Sequence, residues 1–127
     1  EDWVRCAGFL RDHELVDLYR RAWAVASASA REGWGMTLTE AAACGTPAVA
    51  TRIEGHLDAV RDGESGLLAD GTAADLGGAL ARLLGDAGLR SRLSAGALAR
   101  AGELTWGATA TGVMRALAGA AAGTRRR

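Results

Sequence analysis

Lysine, asparagine and glutamine are absent from this chain of 127 residues, and every basic residue is arginine. Together with the abundance of Ala and Gly, that absence reflects a coding bias toward Ala, Gly and Arg codons and carries no functional information. There are 2 cysteines; Cys6 and Cys44 lie too far apart for a short metal-ligand or redox pair and do not make a disulfide framework, a usage that fits a reducing cytoplasm. No uncharged apolar run approaches the roughly 18 residues of a membrane span, so no transmembrane segment is expected. The opening Glu1, Asp2 and Trp3 is not the basic, then apolar, pattern of an export signal. Neither sign of charge dominates, since 15 basic residues face 15 acidic ones. The one basic cluster is the terminal Arg125, Arg126 and Arg127, which reads as a solvated tail, so neither nucleic acid nor an anionic membrane is an expected partner. Zinc and calcium ligand patterns are missing, as is an Asp-x-Asp pair for a metal-bridged diphosphate; no metal and no cofactor is expected.

What is present is a globular pattern: 49% of residues are hydrophobic and leucines recur periodically, which suits one small domain or part of a larger one. Alternation over Trp3 to Phe9 predicts a strand that leaves sharply at Gly8. Asp12 is a candidate cap for a helix whose apolar stripe is Leu15, Leu18, Tyr19 and Ala22, with Arg20 and Arg21 opposite. Ala24 to Ser27 reads as a second strand, Thr37 to Cys44 as a helix closed by Gly45 in the left-handed region, and Pro47 to Thr51 as a third strand covered on both faces. A helical turn over His56 to Val60, a turn at Asp62-Gly63 and a fourth strand over Gly66 to Ala69 follow. Three helices complete the chain. One is capped by Thr72 and faces inward through Leu76, Ala79, Leu80, Leu83 and Leu84; one opens at Asp86 and carries Leu89, Leu93 and Ala97. The last follows Trp106 with Val113, Met114 and Leu117 before a fraying tail. The alternation of strands and helices predicts βαβ units in a mostly parallel, Rossmann-like α/β sheet. Four short strands are few for such a sheet, which suggests that part of it lies upstream of residue 1.

Arg31 to Thr51 carries the chemistry. A Gly-rich loop feeds a helix start, and the first N–H groups of a helix have no internal partners and sit at the positive end of its dipole. A phosphate over Gly35, Met36 and Thr37 would therefore meet backbone donors, with Gly33 and Gly35 permitting close approach. Glu32 and Glu40 cannot share one helical face but can border one pocket at different depths. Carboxylates repel phosphate but accept paired hydrogen bonds from vicinal hydroxyls. Two of them flanking an anion site suit a ligand with hydroxyls on both sides of a phosphate, the layout of a nucleotide sugar. The spacing alone carries little weight in a chain with 15 acidic residues, and Glu40 could be a solvated helix charge.

These residues resemble a known family, the retaining glycosyltransferases of the GT-B fold, glycosyltransferase family 4 (glycosyl transferases group 1), and the likeness covers nearly the whole chain. Val4-Arg5-Cys6-Ala7-Gly8 is similar to its V-x-F-x-G strand, Leu15 to Ala22 to its L-x-x-L-Y-x-x-A helix, and Glu32 to Glu40 to its E-x7-E motif. Gly45-Thr46-Pro47 with Ala48 to Thr51 resembles its G-x-P-V-V-A-T turn and strand, Asp62-Gly63 with Gly66-Leu67-Leu68 its D-G-x-x-G-x-L element, and Leu104-Thr105-Trp106 its F-S-W lead into the last helix. The resemblance implies that Glu32, the candidate catalytic residue, binds donor-sugar hydroxyls, and that Glu40 binds the ribose. It further implies that Gly33, Gly35, Met36 and Thr37 hold sugar and diphosphate, that Gly8, Phe9 and Leu10 lie near the base, and that transfer to an unknown acceptor proceeds with retention and without metal.

There are departures. Ala28-Ser29 stands for the family's Pro-Ser, and Glu54-Gly55-His56-Leu57-Asp58 for its Gly-Gly-x-Pro-Glu, which leaves Glu54 and Asp58 without an implied role. The family's G-R-x-x-x-x-K-G segment and its acceptor-binding domain would lie upstream of residue 1. Residues 1-127 therefore read as the C-terminal part of a nucleotide-sugar-binding domain, expected to be inactive when isolated. Two other classes remain open: a non-catalytic small α/β nucleotide- or ligand-binding module, such as a receiver-like or flavodoxin-like domain, and a glycoside hydrolase, which would place its carboxylates across a scissile bond. His56 reads as a capping or surface residue, Cys44 as a small buried thiol, and Trp3, Trp23 and Trp106 as packing residues. Trp34 either walls the sugar pocket or packs under the loop.

Overall fold

The computed structural model describes residues 3–124. Its described elements run α1 (Asp12–Arg21), β1 (Val25–Ser27), α2 (Met36–Ala43), β2 (Ala48–Thr51), α3 (Glu54–Ala59), β3 (Gly66–Ala69), α4 (Ala73–Gly85), α5 (Ala87–Glu103) and α6 (Trp106–Thr124). The strands form one parallel sheet in the order β1-β2-β3, with Val25 opposite Ala48 and Ala48 opposite Gly66. Successive side chains of β2 and β3 point to opposite faces, and each face has its own core. Ala48, Ala50 and Leu68 pack with Leu38 of α2, with Ala59 at the end of α3 and with Val60 just after it. Val49 and Leu67 pack on the other face with Leu83 of α4 and Leu89 and Leu93 of α5. This is the two-sided cover expected of a parallel sheet.

The helix ends follow local chemistry. Gly45 takes φ 81, and the bonds from Gly45 N–H to the Ala42 carbonyl and from Thr46 N–H to the Ala41 carbonyl, both 2.9 Å, form a Schellman motif that ends α2. The Thr46 hydroxyl then donates to the Tyr19 carbonyl at 2.5 Å, fixing the end of α1 to that turn. Thr72 and Asp86 cap α4 and α5 as expected, accepting from the Asp75 and Leu89 N–H groups. At β3, the Arg52 guanidinium donates to Asp62 at 2.6 Å and to Asp70 at 3.2 Å, while Asp62 also accepts from the Leu68 N–H at 2.9 Å.

Several expectations are corrected. Trp3 to Phe9 is not a strand: the segment joins neither edge of the described sheet, and residues 3–9 are exposed, so alternation alone does not supply the pairing a strand requires. The sheet therefore has three described strands, not four. Asp12 does not cap α1; Arg11 holds that place, and the Glu14 carboxylate turns back to accept from the Arg11 N–H at 2.9 Å. The last helix forms as α6, and its Val113, Met114 and Leu117 are 54%, 66% and 61% exposed. That helix does not fray after Leu117, because the alanines that follow are the strongest helix formers and carry it on to Thr124. The Arg125 to Arg127 tail lies outside the described residues. Trp3, Trp23 and Trp106 are exposed rather than core residues, since alanine and leucine fill the narrow gaps around such short strands. Trp23 does make one contact between elements, with the Arg90 guanidinium stacked 4.4 Å from its ring centre. Cys44 is half-buried, not buried.

Two stability tests follow from this packing. A Cβ on Gly96 of α5 would collide with the Glu64 carbonyl, whereas one on Gly78 of α4 would meet nothing within 4 Å. Gly96→Ala should destabilise by about 1–3 kcal/mol through overpacking, and Gly78→Ala should stabilise by about 0.5–1 kcal/mol; denaturant unfolding of the two variants distinguishes the signs. Acid should weaken the β3 clasp. Partial burial pushes the Asp62 carboxyl up, but hydrogen bonds from Arg52 and the Leu68 N–H outweigh it and hold the carboxyl below its ordinary value. The stabilisation is thus complete above the ordinary aspartate range and is lost as the pH falls through the depressed value, so Asp62→Asn should flatten unfolding curves measured below about pH 4.

Candidate functional site

The loop from β1 to α2 sits at the carboxyl ends of the parallel strands, where open α/β sheets place their ligands. Gly35 precedes α2 in the left-handed region, φ 77, and is buried. The first bond of α2 runs from the Leu38 N–H to the Gly35 carbonyl at 3.0 Å. The N–H groups of Gly35, Met36 and Thr37 precede it and have no backbone partner among the described residues, at a helix start with no carboxylate in its first turn.

Two contacts hold this loop from beneath. Gly55 of α3 lies so near the loop that a Cβ there would stand 2.5 Å from the Glu32 carbonyl oxygen and 3.0 Å from the Trp34 nitrogen. His56 is buried, with 0% exposure, and its Cδ2 would meet a Cβ on Gly35 at 3.0 Å. The expectation of a capping or surface histidine is corrected: the ring lies under the helix start, with Nδ1 2.7 Å from the Thr51 carbonyl and Nε2 3.3 Å from Ser27 Oγ. Since a carbonyl only accepts, Nδ1 carries a hydrogen. Thr51 also donates its hydroxyl to the Ser29 carbonyl at 2.5 Å, so the ends of β1 and β2 are joined through side chains. Gly55 entered the sequence reading only within the segment that stands for the family's Gly-Gly-x-Pro-Glu, because nothing local marks a glycine as touching a loop far away along the chain.

Glu32 and Glu40 are not brought into one pocket. Glu32 accepts from the Ser29 hydroxyl at 2.7 Å and borders a hollow of about 500 Å³ with Arg31, Arg52, Ile53, Glu54 and Leu57. Glu40, on α2, is 3.4 Å from the Tyr19 hydroxyl and borders a hollow of about 680 Å³ with Trp34, Met36, Leu104 and Trp106. Burial, and then the Glu40 charge, push the Tyr19 phenol up, which keeps it a donor to that carboxylate. Trp34 and Met36 line the Glu40 hollow and do not line the Glu32 hollow. Trp34 thus walls the Glu40 side. Gly8, Phe9 and Leu10 precede α1, and Phe9 is 93% exposed. Among the described residues, no cluster of three or more His, Cys, Asp or Glu could hold a metal ion, and no helix is long and apolar enough to cross a membrane.

Residues 1–100 match the family of glycosyl transferases group 1. The chain is 47% identical over 115 residues to a D-inositol 3-phosphate glycosyltransferase of Frankia alni, covering 90% of this chain and 28% of that protein. It is 48% identical over 101 residues to a protein of the same name from Acidothermus cellulolyticus, covering 79% of this chain and 22% of that one. Among solved structures it is similar to a sucrose-phosphate synthase from Thermosynechococcus elongatus, with a TM-score of 0.71 and 31% identity, covering 87% of this chain and 29% of that structure. The fold is thus that of a GT-B glycosyltransferase, and the chain spans under a third of the length of these proteins.

The contact beneath the loop is open to test. Gly55→Ala should push the Glu32–Trp34 backbone outward, lowering the melting temperature and speeding amide exchange from residue 33 to residue 37. Gly33→Ala, with nothing within 4 Å of the added carbon, should leave both unchanged.

Proposed function

The chain belongs to the family of glycosyl transferases group 1, and on that premise we propose that it is the C-terminal part of the donor domain of a retaining glycosyltransferase that binds a nucleotide sugar. The observation that carries this reading is the pair of carboxylates on either side of one helix start. A diphosphate laid over Gly35, Met36 and Thr37 meets free N–H groups at the positive end of α2. The donor sugar then occupies the Glu32 hollow and the ribose the Glu40 hollow. Separate hollows suit a ligand built in three parts, with hydroxyls at both ends and charge in the middle, better than they suit a single sugar.

The chemistry follows from this placement. Departure of a nucleoside diphosphate builds negative charge on the leaving oxygen, and preformed N–H donors aimed there stabilise it without reorganising. Glu32 orients the sugar by accepting from its hydroxyls, so that the acceptor attacks from the face the leaving group vacates and the anomeric configuration is retained. Gly8, Phe9 and Leu10 lie toward the base, and an acceptor-binding domain in the same enzyme supplies the opposite wall. The reaction requires no metal in this reading, and it belongs to the cytoplasm.

In the full-length enzyme, Glu32→Ala and Glu40→Ala should act on different ligands. Losing a charged hydrogen-bond partner costs about 1.5–3 kcal/mol. Glu40→Ala should weaken both the free nucleoside diphosphate and the sugar nucleotide by that amount, whereas Glu32→Ala should weaken only the sugar nucleotide. Calorimetric titration of both ligands against both variants separates the roles; equal losses throughout would sink them.

A further inference from the structure

Glu32 is tied to the buried histidine by a continuous line of side chains. From His56 Nε2 the line passes to Ser27 Oγ at 3.3 Å, from there to Ser29 Oγ at 3.3 Å, and from Ser29 Oγ to Glu32 Oε1 at 2.7 Å. The last link has the ordinary length of a hydroxyl bond to a carboxylate, and the first two are longer. The line is therefore tight at the exposed carboxylate and slack at the ring. Its inner end does not move freely: the imidazole is 0% exposed, pinned through Nδ1 to the Thr51 carbonyl at 2.7 Å, and roofed by Gly35.

We propose that His56 is a positioning residue for Glu32, acting through the Ser27 and Ser29 hydroxyls to hold the carboxylate toward the sugar of the donor. The inference rests on the donor reading for Glu32's partner, but the relay itself stands on geometry. The Ser27 hydroxyl donates to Ser29 and the Ser29 hydroxyl donates to Glu32, so the line runs outward from the ring contact to the carboxylate. Removing the ring's second nitrogen leaves Ser27 free to turn, and Ser29 then loses the neighbour that orients its hydroxyl. Glu32, which is exposed and has no other hydrogen bond among the described residues, is left to rotate. The burial of His56 has a purely structural explanation as well, as filler beneath Gly35. Position and chemistry separate the two, because a filler requires volume and a relay requires nitrogen.

Two experiments on the full-length protein test this. In the first, histidine is labelled with ¹⁵N and the His56 ring signals are assigned by their loss in His56→Gln. Ser29→Ala and Glu32→Gln should both shift the Nε2 resonance, while Glu40→Gln should not. An unmoved Nε2 in both variants overturns the relay, whatever the protein binds. In the second, donor kinetics are compared for His56→Leu, His56→Gln, Ser29→Ala and the double variant Ser29→Ala/His56→Leu. His56→Leu keeps the volume and should lower kcat/KM for the sugar nucleotide about tenfold, the loss expected when one hydrogen bond to a charged group is disordered, while sparing affinity for the free nucleoside diphosphate. His56→Gln, which retains a polar end toward Ser27, should recover most of that loss. The double variant should be no worse than the poorer single one, because both changes break one line. Additive losses, or equal losses for both ligands, overturn the positioning role. If Glu32→Gln itself leaves sugar-nucleotide kinetics unchanged while the Nε2 resonance moves as expected, the donor reading has failed and the relay has not.

Discussion

The candidate site depends on one close approach, between the backbone of α3 at Gly55 and the loop that follows β1. The Glu32 carbonyl and the Trp34 nitrogen occupy the space that any side chain at position 55 would take. That contact sets the height of the Gly33–Gly35 turn above the sheet. The turn in turn requires a residue at Gly35 that tolerates φ 77, because only there does the chain reverse sharply enough to start α2. His56 fills the remaining space beneath. A helix of 8 residues is too short to hold its own orientation, so the direction of its amino-terminal end is set by packing and not by helix propensity.

That packing explains the small residues in the strands. Ala48 and Ala50 of β2 let α2 and α3 come close to one face, and Gly66 accepts the Ala48 carbonyl at a distance of 2.5 Å from where its Cβ would stand. Leu83 of α4 and Leu89 and Leu93 of α5 pack on the other face. The loop ends of β1 and β2 lie near α3, within reach of hydroxyl and imidazole side chains. Ser27, Ser29, Thr51 and His56 then satisfy one another in a region where unpaired polar groups would be costly.

Much of this was legible in the sequence. The capping residues Thr72 and Asp86, the left-handed Gly45 and the buried strands Ala48–Thr51 and Gly66–Ala69 are set by local rules and lie where those rules put them. The helix start between Glu32 and Glu40 was legible for the same reason. Distant partners were not. Alternation from Trp3 to Phe9 has the period of a strand, but a period does not supply a neighbour, and the segment joins no strand of the described sheet and is exposed. The stripe on α6 has a helical period and makes a helix, yet Val113, Met114 and Leu117 face solvent. His56 was misread because a lone histidine is ambiguous until its depth is known. The separation of Glu32 and Glu40 into two hollows depends on which distant residues line each, Arg52 and Leu57 for one and Leu104 and Trp106 for the other, which spacing along the chain does not encode.

The central claim is that the α2 start binds the diphosphate of a nucleotide sugar, with Glu32 and Glu40 on its two sides. The most direct test is a crystal structure of the full-length protein with a sugar nucleotide bound. The account predicts diphosphate oxygens within hydrogen-bond distance of the Gly35, Met36 or Thr37 N–H groups, sugar hydroxyls on Glu32 and ribose hydroxyls on Glu40. A donor seated elsewhere, or one whose sugar and ribose lie together in one of the two hollows, would contradict it.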